Sequence, residues 1–387
     1  MRRVFRLFFR GILILALIIG GLAVWKREEI KRLLAVNSLF AAEKIVENFS
    51  HMDTMFLTRA VPRGNGPVSP LPAGVETPLP AGADSWIADR AITGLVVLKS
   101  GAVTHESYHL GTAPDDLRIS WSVAKSALSM LMGIVMDEGA IASLDDPVTK
   151  YAAALAGSAY EGATIRNVLN MASGVAFDED YLDYNSDINK MGRVLALGGT
   201  MDGFAAGLHE RSAAPGAAWQ YVSIDTHVLG MVIRGATGQD IATLLSEKLF
   251  APMGLEAEPY YLTDGSGVAF VLGGLNMTTR DYARLGQLAL QDGLWNGAQI
   301  VPAAWMREAT RASAPTAPGE LRYGYQWWIP ADAQEGEFFA RGIYGQYIYI
   351  DRPRGVVIAI NAADRGFREP DAYPVTLAML RRIAAAQ

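Results

Sequence analysis

Strand patterns occur at both ends of the main body of this chain, and helical patterns fill the middle. The stretch from Ile92 to His109 has two β-type runs around a Ser-Gly turn, which predicts a β-hairpin. Residues from Ser122 to about Ala309 are mostly helical in pattern, strands return between Tyr325 and Ile360, and a last helix begins near Pro374. This order predicts an α/β (α+β) fold in which both ends form one antiparallel sheet flanked by helices, with a mainly helical lobe inserted between them. We expect a functional site in the cleft between the sheet and the helical lobe.

The N-terminal residues form a separate apolar segment. The run from Val4 to Trp25 is interrupted only by Arg6 and Arg10, and a helix of this length roughly spans a ~30 Å hydrocarbon core with its arginine-rich end in the cytoplasm. We therefore predict an inner-membrane, single-pass protein with its catalytic domain on the periplasmic or extracytoplasmic side. A cleaved signal peptide is the alternative, although Trp-Lys-Arg-Glu-Glu follows the run where small residues of the Ala-x-Ala type would be needed.

Changes in composition divide the chain into three parts. We assign residues 1–34 to an N-terminal membrane anchor, residues 35–84 to a helical segment and a Pro/Gly-rich connector, and residues 85–387 to the main domain. Helical spacing continues from Lys26 to about Ala60. The connector, from Pro62 to Gly82, holds six prolines and four glycines and is expected to be extended.

The bulk composition excludes several classes of function. The 387-residue chain has no cysteine, which removes disulfides, thiolate nucleophiles and cysteine-bound metals. Its formal charge of -6 is spread along the sequence, and beyond the N-terminus there is no basic run of the kind that binds phosphates, so we expect no nucleic-acid partner.

One metal motif is present in the wrong structural context. His105-Glu106-Ser-Tyr-His109 matches the His-Glu-x-x-His pattern of zinc proteases, whose chemistry needs a helix. Here the residues lie in a predicted strand, where positions four apart are separated by roughly 13 Å. We therefore predict no metal site, and nothing in the sequence indicates a cofactor.

A serine and a lysine three residues apart offer nucleophilic chemistry. They stand in Ser122-Val-Ala-Lys125, at the start of an apolar helix. Because positions i and i+3 share a helix face, the lysine amine lies within reach of the hydroxyl proton. A serine in the first helical turn also faces free backbone N–H groups, which favour an anion. Alone, the same tetrapeptide also fits an ordinary N-cap serine followed by a surface lysine.

Two later elements add to this pair. Tyr221, in Tyr221-Val-Ser223, lies where a loop enters a helix, and a phenol that shares its proton with a lysine can act as general base and then as general acid. The strand Ala340-Arg341-Gly342-Ile343 carries a glycine where another backbone can approach closely. Taken singly, each element also fits a purely structural role.

At these three places together, the sequence resembles the serine hydrolases of the penicillin-recognising fold. That family includes class C β-lactamases, family VIII carboxylesterases and 6-aminohexanoate-dimer hydrolases, and the last of these are the most similar. The family's Ser-x-x-Lys and Tyr-x-Asn/Ser boxes correspond to Ser122-Val-Ala-Lys125 and Tyr221-Val-Ser223. The resemblance extends from about Phe49 to the C-terminus. It implies a β-lactamase/transpeptidase-like fold with Ser122 as nucleophile and with Lys125 and Tyr221 as its proton-transfer partners.

The resemblance also implies the rest of the site. The backbone N–H groups of Ser122 and Ile343 would form the oxyanion hole, and the predicted substrate-binding residues are Tyr181, Ser223, Trp327, Gly342 and Gln346. Tyr181 stands in an acidic-aromatic run that also fits a solvated loop, and alternation along a strand makes at least one of Trp327 and Trp328 a core residue. The sequence departs from the family at one point. Ala340 stands where the third family box usually has Lys or His, so the cation that assists recognition of the β-lactam carboxylate is missing.

The sequence therefore predicts a serine hydrolase that cleaves a small-molecule ester or linear amide through an acyl-serine intermediate. A β-lactamase or D,D-peptidase acting on β-lactams or cell-wall peptides is the first alternative. The second, from a different class, is a catalytically silent, membrane-tethered binding protein that keeps the same fold.

Overall fold

The computed structural model of the protein describes residues 2–387. The α-helices are α1 (Arg2–Trp25), α2 (Arg27–Ser38), α3 (Ile45–Ser50), α4 (Ala83–Asp89), α5 (Ala124–Asp137), α6 (Ile165–Leu169), α7 (Asp187–Leu197), α8 (Met201–Ala206), α9 (Ser223–Thr237), α10 (Ile241–Leu245), α11 (Ala251–Met253), α12 (Thr279–Leu290), α13 (Ala303–Ala309) and α14 (Ala372–Ala386). The strands are β1 (Thr58–Ala60), β2 (Ile92–Lys99), β3 (Ala102–Tyr108), β4 (Arg118–Ile119), β5 (Tyr260–Leu262), β6 (Leu275–Met277), β7 (Leu294–Trp295), β8 (Ala298–Gln299), β9 (Arg322–Tyr323), β10 (Trp328–Ile329), β11 (Glu337–Gly342), β12 (Gln346–Asp351) and β13 (Val356–Ala362).

A seven-stranded sheet runs through the main domain in the order β3-β2-β13-β12-β11-β10-β9, with every neighbouring pair antiparallel. β2 pairs with β13, from Lys99 opposite Val356 to Ile92 opposite Ala362. The hairpin between β2 and β3 turns at Ser100 and Gly101, whose φ angles of 51° and 85° suit a two-residue turn. The predicted sheet built from both ends of the main domain is therefore confirmed.

Helices cover both faces of this sheet. On one face, α14 packs Leu377, Leu380 and Ile383 into a cluster with side chains of the central strands. The other face contributes Ala340 and Ile348 to the larger core, which also contains α5, α12 and the helical lobe. The predicted α/β architecture, with a mainly helical lobe between strand-forming ends, is the one observed.

Two short-strand features differ from the sequence prediction. A second sheet, β1-β5-β6-β4, consists of strands of only two or three residues, which are too short to show an alternating pattern. The strand pattern that begins at Tyr325 forms a strand only at Trp328–Ile329. Gln326 has a φ of 66°, and this left-handed residue interrupts the extended backbone.

The N-terminal segment is helical and then joins the main core. Helical hydrogen bonds cross from α1 into α2, where the Lys26 and Ile30 N–H groups donate to Leu22 O (2.8 Å) and Lys26 O (2.9 Å). Over Phe8–Trp25, α1 has a mean hydropathy of 2.2 and no buried residue, so it is long and apolar enough to span a membrane; a signal sequence has the same properties. The predicted helix to Ala60 ends earlier, at Ser50, and Thr58–Ala60 forms β1 instead.

Candidate active site

Ser122 lies in a single 3-10 turn, Trp121–Val123, that leads directly into α5. The end of β11 passes close to this turn. A Cβ atom added to Gly342 would come within 2.5 Å of Ser120 O and 3.1 Å of the Ser122 backbone nitrogen. Only glycine fits this approach, which brings the backbone after Gly342 beside that of Ser122.

Lys125 lies one helical turn after Ser122 and is fully buried. Its Nζ donates a hydrogen bond to Leu272 O at 3.0 Å. Burial lowers the pKa of Lys125 to about 7, although the carboxylates of Glu179 and Asp225 act in the opposite direction. A lysine of this kind is largely neutral just above neutral pH and can accept a proton.

Tyr221 lies two residues before the start of α9, with the Lys125 Nζ 5.5 Å from the centre of its ring. Burial raises the pKa of Tyr221 well above its ordinary value, and a hydrogen bond with the Ser122 hydroxyl opposes that shift. Trp328 stacks on the Tyr221 ring at 5.2 Å and fixes its orientation. At neutral pH, the phenol therefore carries its proton next to the Ser122 hydroxyl.

Two carboxylates lie beside these groups, Asp225 fully buried and Glu179 partly buried, and neither was predicted. Glu179 accepts hydrogen bonds from the Ser223 backbone N–H and from the Tyr181 hydroxyl (3.0 Å), and burial raises its pKa while Lys125 lowers it. Asp225 accepts from the Tyr160 hydroxyl at 2.8 Å, and burial raises its pKa to about 7. Both carboxylates favour the charged form of Lys125 and so limit the fall in its pKa.

A cavity of about 510 Å³ opens at Ser122. Of the predicted site residues, Tyr181, Ser223 and Ile343 line it together with Ser122. Gly342 lies behind its wall, against the turn that holds Ser122. Four chain segments that are far apart in the sequence, around residues 122, 181, 223 and 343, thus meet at one cavity, as the predicted cleft site requires.

Two side chains predicted to bind substrate, Trp327 and Gln346, do not line the cavity, so both predictions are wrong. Trp327 is completely buried and packs edge-on against Phe338 at 5.3 Å, because neighbouring residues of an extended segment point to opposite sides. Gln346 is also buried, and its amide donates to Ala362 O (2.7 Å) and Tyr344 O (3.0 Å). Gln346 therefore holds the turn after Ile343 in place rather than facing a substrate.

Two phenylalanines of the N-terminal segment, Phe40 and Phe49, complete an aromatic cluster beside the two backbone N–H groups that are predicted to form the oxyanion hole. Trp121 and Tyr344 directly flank Ser122 and Ile343, and both have left-handed backbone, with φ of 44° and 57°. Phe40 stacks on Tyr344 at 4.8 Å and contacts Trp121 at 5.8 Å, and Phe49 contacts both. Because left-handed non-glycine residues persist only where the surroundings enforce them, Phe40 and Phe49 help to hold the two backbone N–H groups.

The side chains of the zinc-like motif are arranged for other contacts. His105 and His109 both place Nε2 beside the Ser107 hydroxyl, at 3.0 and 3.1 Å, so the imidazoles lie closer together than the predicted 13 Å. Glu106 pairs instead with Arg280 at 2.7 Å. Within residues 2–387, no group of three or more acidic or imidazole side chains is arranged to hold a metal ion.

Known proteins resemble this chain in sequence and in fold. The sequence profile of the Beta-lactamase family matches residues 84–380. The 6-aminohexanoate-dimer hydrolase of Paenarthrobacter ureafaciens is 32% identical over 282 residues, which cover 69% of this chain and 71% of that protein.

Solved structures share the fold. The structure named "Putative 6-aminohexanoate-dimer hydrolase from Bacillus anthracis" has a TM-score of 0.80 at 24% identity and covers 89% of this chain and 95% of that one. EstCE1, "a hydrolase with promiscuous acyltransferase activity", has a TM-score of 0.62 at 15% identity, with 79% and 96% covered. Together with the profile match, the identity to a curated relative establishes that this chain belongs to the Beta-lactamase family of serine hydrolases.

Proposed function

We propose that this protein hydrolyses an ester or a linear amide through an acyl-serine intermediate on Ser122. The observation that carries the proposal is the placement of a buried lysine, Lys125, with a pKa lowered to about 7, one turn after Ser122 and beside Tyr221. A surface lysine would be protonated at neutral pH and unable to accept the proton of a nucleophile. Covalent labelling of Ser122 tests the proposal.

The proposed reaction has two steps. In the first, Ser122 Oγ bonds to the substrate carbonyl carbon, Lys125 takes the hydroxyl proton, and Tyr221 gives its proton to the leaving alcohol or amine. The backbone N–H groups of Ser122 and Ile343 stabilise the oxyanion. In the second step, water attacks the acyl-serine, its proton passes to the Lys125 and Tyr221 pair, and the carboxylic acid leaves as Ser122 recovers its proton.

The third family box, Ala340-Arg341-Gly342, lacks the usual cation, and this argues against β-lactams as the preferred substrates. Ala340 has no charge to offer, and the Arg341 guanidinium lies over the rings of Tyr373 (5.1 Å) and Tyr347 (5.8 Å), which belong to the α14 face of the sheet. Arg341 therefore does not replace the missing cation. The 6-aminohexanoate-dimer hydrolase relative supports a linear amide, and the EstCE1 likeness concerns the fold alone.

We predict that kcat/KM is higher for a short-chain nitrophenyl ester and for a linear aminohexanoate amide than for a cephalosporin. The reason is that the acylating groups are retained while the β-lactam carboxylate lacks its usual cationic partner. Steady-state kinetics with the three substrates measure the order, and Ala340→Lys provides the matched gain-of-function variant. A cephalosporin that proves the best of the three substrates would contradict the assignment.

We further propose that α1 is an uncleaved anchor, that residues 1–34, 35–84 and 85–387 form the anchor, connecting and catalytic parts, and that the catalytic part is periplasmic. The apolar Phe8–Trp25 window and the arginines before it support this orientation. The expected result is a mature protein that retains residues before 25 and is released from membranes by detergent but not by high salt. N-terminal sequencing of the membrane fraction makes the measurement, and a mature chain that begins after residue 25 would refute the anchor.

A further inference from the structure

The cavity at Ser122 is lined mainly by apolar side chains from the N-terminal segment and from α7. α2 contributes Leu33 and Val36, and α7 contributes Ile188, Met191 and Leu195. These walls offer the surface that an aliphatic chain would fill, since each methylene removed from water stabilises the complex.

Charged groups are almost absent from the cavity wall. Among the lining residues that the structure describes, Arg193 is the single charged one. Its guanidinium lies 4.0 Å from the centre of the Tyr184 ring and donates to Tyr184 O at 2.7 Å. The wall therefore presents no carboxylate for an ammonium group, and its one cation already has partners. A substrate with charged ends would gain little binding free energy from contact with this wall.

The opening of the cavity is apolar as well. Leu182 and Tyr184 line the cavity, yet they are 82% and 68% exposed, which places them at its rim. Arg32 Nε donates to Ala196 O at 3.2 Å, so the first half of α2 lies against the end of α7. These two helix ends carry further exposed apolar side chains, namely Ile30, Leu34 and Leu197. An apolar surface next to a cavity marks a place where a membrane or an apolar ligand is met.

The same rim lies close to the apolar helix α1. Helical hydrogen bonds continue from α1 into α2 through Lys26 and Ile30. Leu33, which lines the cavity, follows Trp25 by eight residues, and this corresponds to about 12 Å along a helix. With α1 in a bilayer, the entrance to the cavity lies near the membrane surface.

From these observations, we propose that the substrate is an amphiphile resident in the membrane, namely an ester or amide whose acyl part is a single aliphatic chain. The chain enters the apolar cavity while its carbonyl carbon reaches Ser122 Oγ. The bond from that carbon to the leaving oxygen or nitrogen breaks, and water later releases the fatty acid. This inference rests on the proposed function, and it names the substrate class of the same site.

A homologous series of nitrophenyl esters tests the acyl preference. With the full chain in detergent micelles, kcat/KM should rise from acetyl to butyryl to octanoyl ester, by up to about fourfold for each methylene that becomes buried. A flat or falling series would overturn the inference while leaving the proposed function intact. Loss of all ester hydrolysis, together with loss of covalent labelling, would instead count against the proposed function.

A cavity-filling variant shows whether a preference for long acyl chains comes from the cavity or from the detergent micelle. Gly192 on α7 lines the cavity, and a Cβ atom added there meets nothing within 4 Å. Gly192→Leu should therefore lower the octanoyl-to-acetyl ratio of kcat/KM by about tenfold. Lys190→Leu is the matched control, because Lys190 lies on the same helix but is exposed and outside the cavity, and it should leave the ratio unchanged. Equal ratios in the two variants would contradict the proposal.

Vesicle experiments distinguish a substrate that is taken from the membrane from one that is taken from solution. The full chain is reconstituted in phospholipid vesicles, and a palmitoyl ester is placed either in the same vesicles or in separate ones. Hydrolysis should be at least about tenfold faster in the shared vesicles, because the cavity opens beside the bilayer that holds the anchor. Equal rates in the two arrangements would contradict the proposal that the substrate enters from the membrane.

Discussion

Replacement of Ser122 by alanine should abolish turnover and, in the same protein, abolish labelling by a fluorophosphonate. The expected loss is about four to six orders of magnitude in kcat, since residues that act as a unit in covalent catalysis cannot replace one another. Mass spectrometry of the labelled wild-type protein should place one adduct on the peptide that contains Ser122. The variant should keep its melting temperature, because the Ser122 side chain is small and only half-buried.

A neighbouring serine gives the matched control for this experiment. Ser126 lies on α5, and its buried hydroxyl donates to Gln326 O at 2.7 Å. Ser126→Ala removes that hydrogen bond and should reduce stability by about 1 kcal/mol, while labelling and turnover persist. Full activity in Ser122→Ala would exclude the acyl-serine mechanism. An unlabelled wild-type protein without turnover would instead favour the silent binding protein.

The sequence predicts the central sheet and the proximity of Ser122 and Lys125 for physical reasons that apply locally. Strands such as β2 and β12 are long enough to show β-type patterns, and a Ser-Gly turn admits the positive φ angles of the hairpin. Ser122 and Lys125 are three residues apart, so their relation depends only on the helix between them. Such features need no knowledge of distant contacts.

The missed features depend on contacts between distant segments. Glu179 belongs to an acidic run that also fits a solvated loop, yet folding places its partly buried carboxylate against the backbone N–H of Ser223, which is 44 residues away. Trp327 and Trp328 are adjacent and point to opposite sides, and the sequence alone does not indicate that Trp328 is the one that stacks on Tyr221. Phe40 likewise has an ordinary helical spacing in the sequence, and nothing local indicates that it stacks on Tyr344.

The pH dependence of ester hydrolysis should report the ionisation of Lys125. Because the neutral amine is the proposed proton acceptor, kcat/KM should rise as the pH increases through about 7 and reach a plateau above it, in line with the pKa to which burial lowers this lysine. Lys125→Ala and Tyr221→Phe should each lower kcat/KM by about two to four orders of magnitude. A profile that is flat from acidic to alkaline pH would contradict Lys125 as the acceptor.

Glu179→Gln tests whether Lys125 is the titrating group. The measured quantity is the midpoint of the pH profile, which a purely structural role of Lys125 would leave unchanged. The Glu179 carboxylate stabilises the charged form of Lys125, so its neutralisation should lower the lysine pKa further and shift the midpoint of the profile to more acidic pH. Asp332→Asn is the matched control, because Asp332 pairs with Arg381 and does not affect Lys125. A midpoint that stays in place in Glu179→Gln, or moves toward alkaline pH, would exclude Lys125 as the group that titrates.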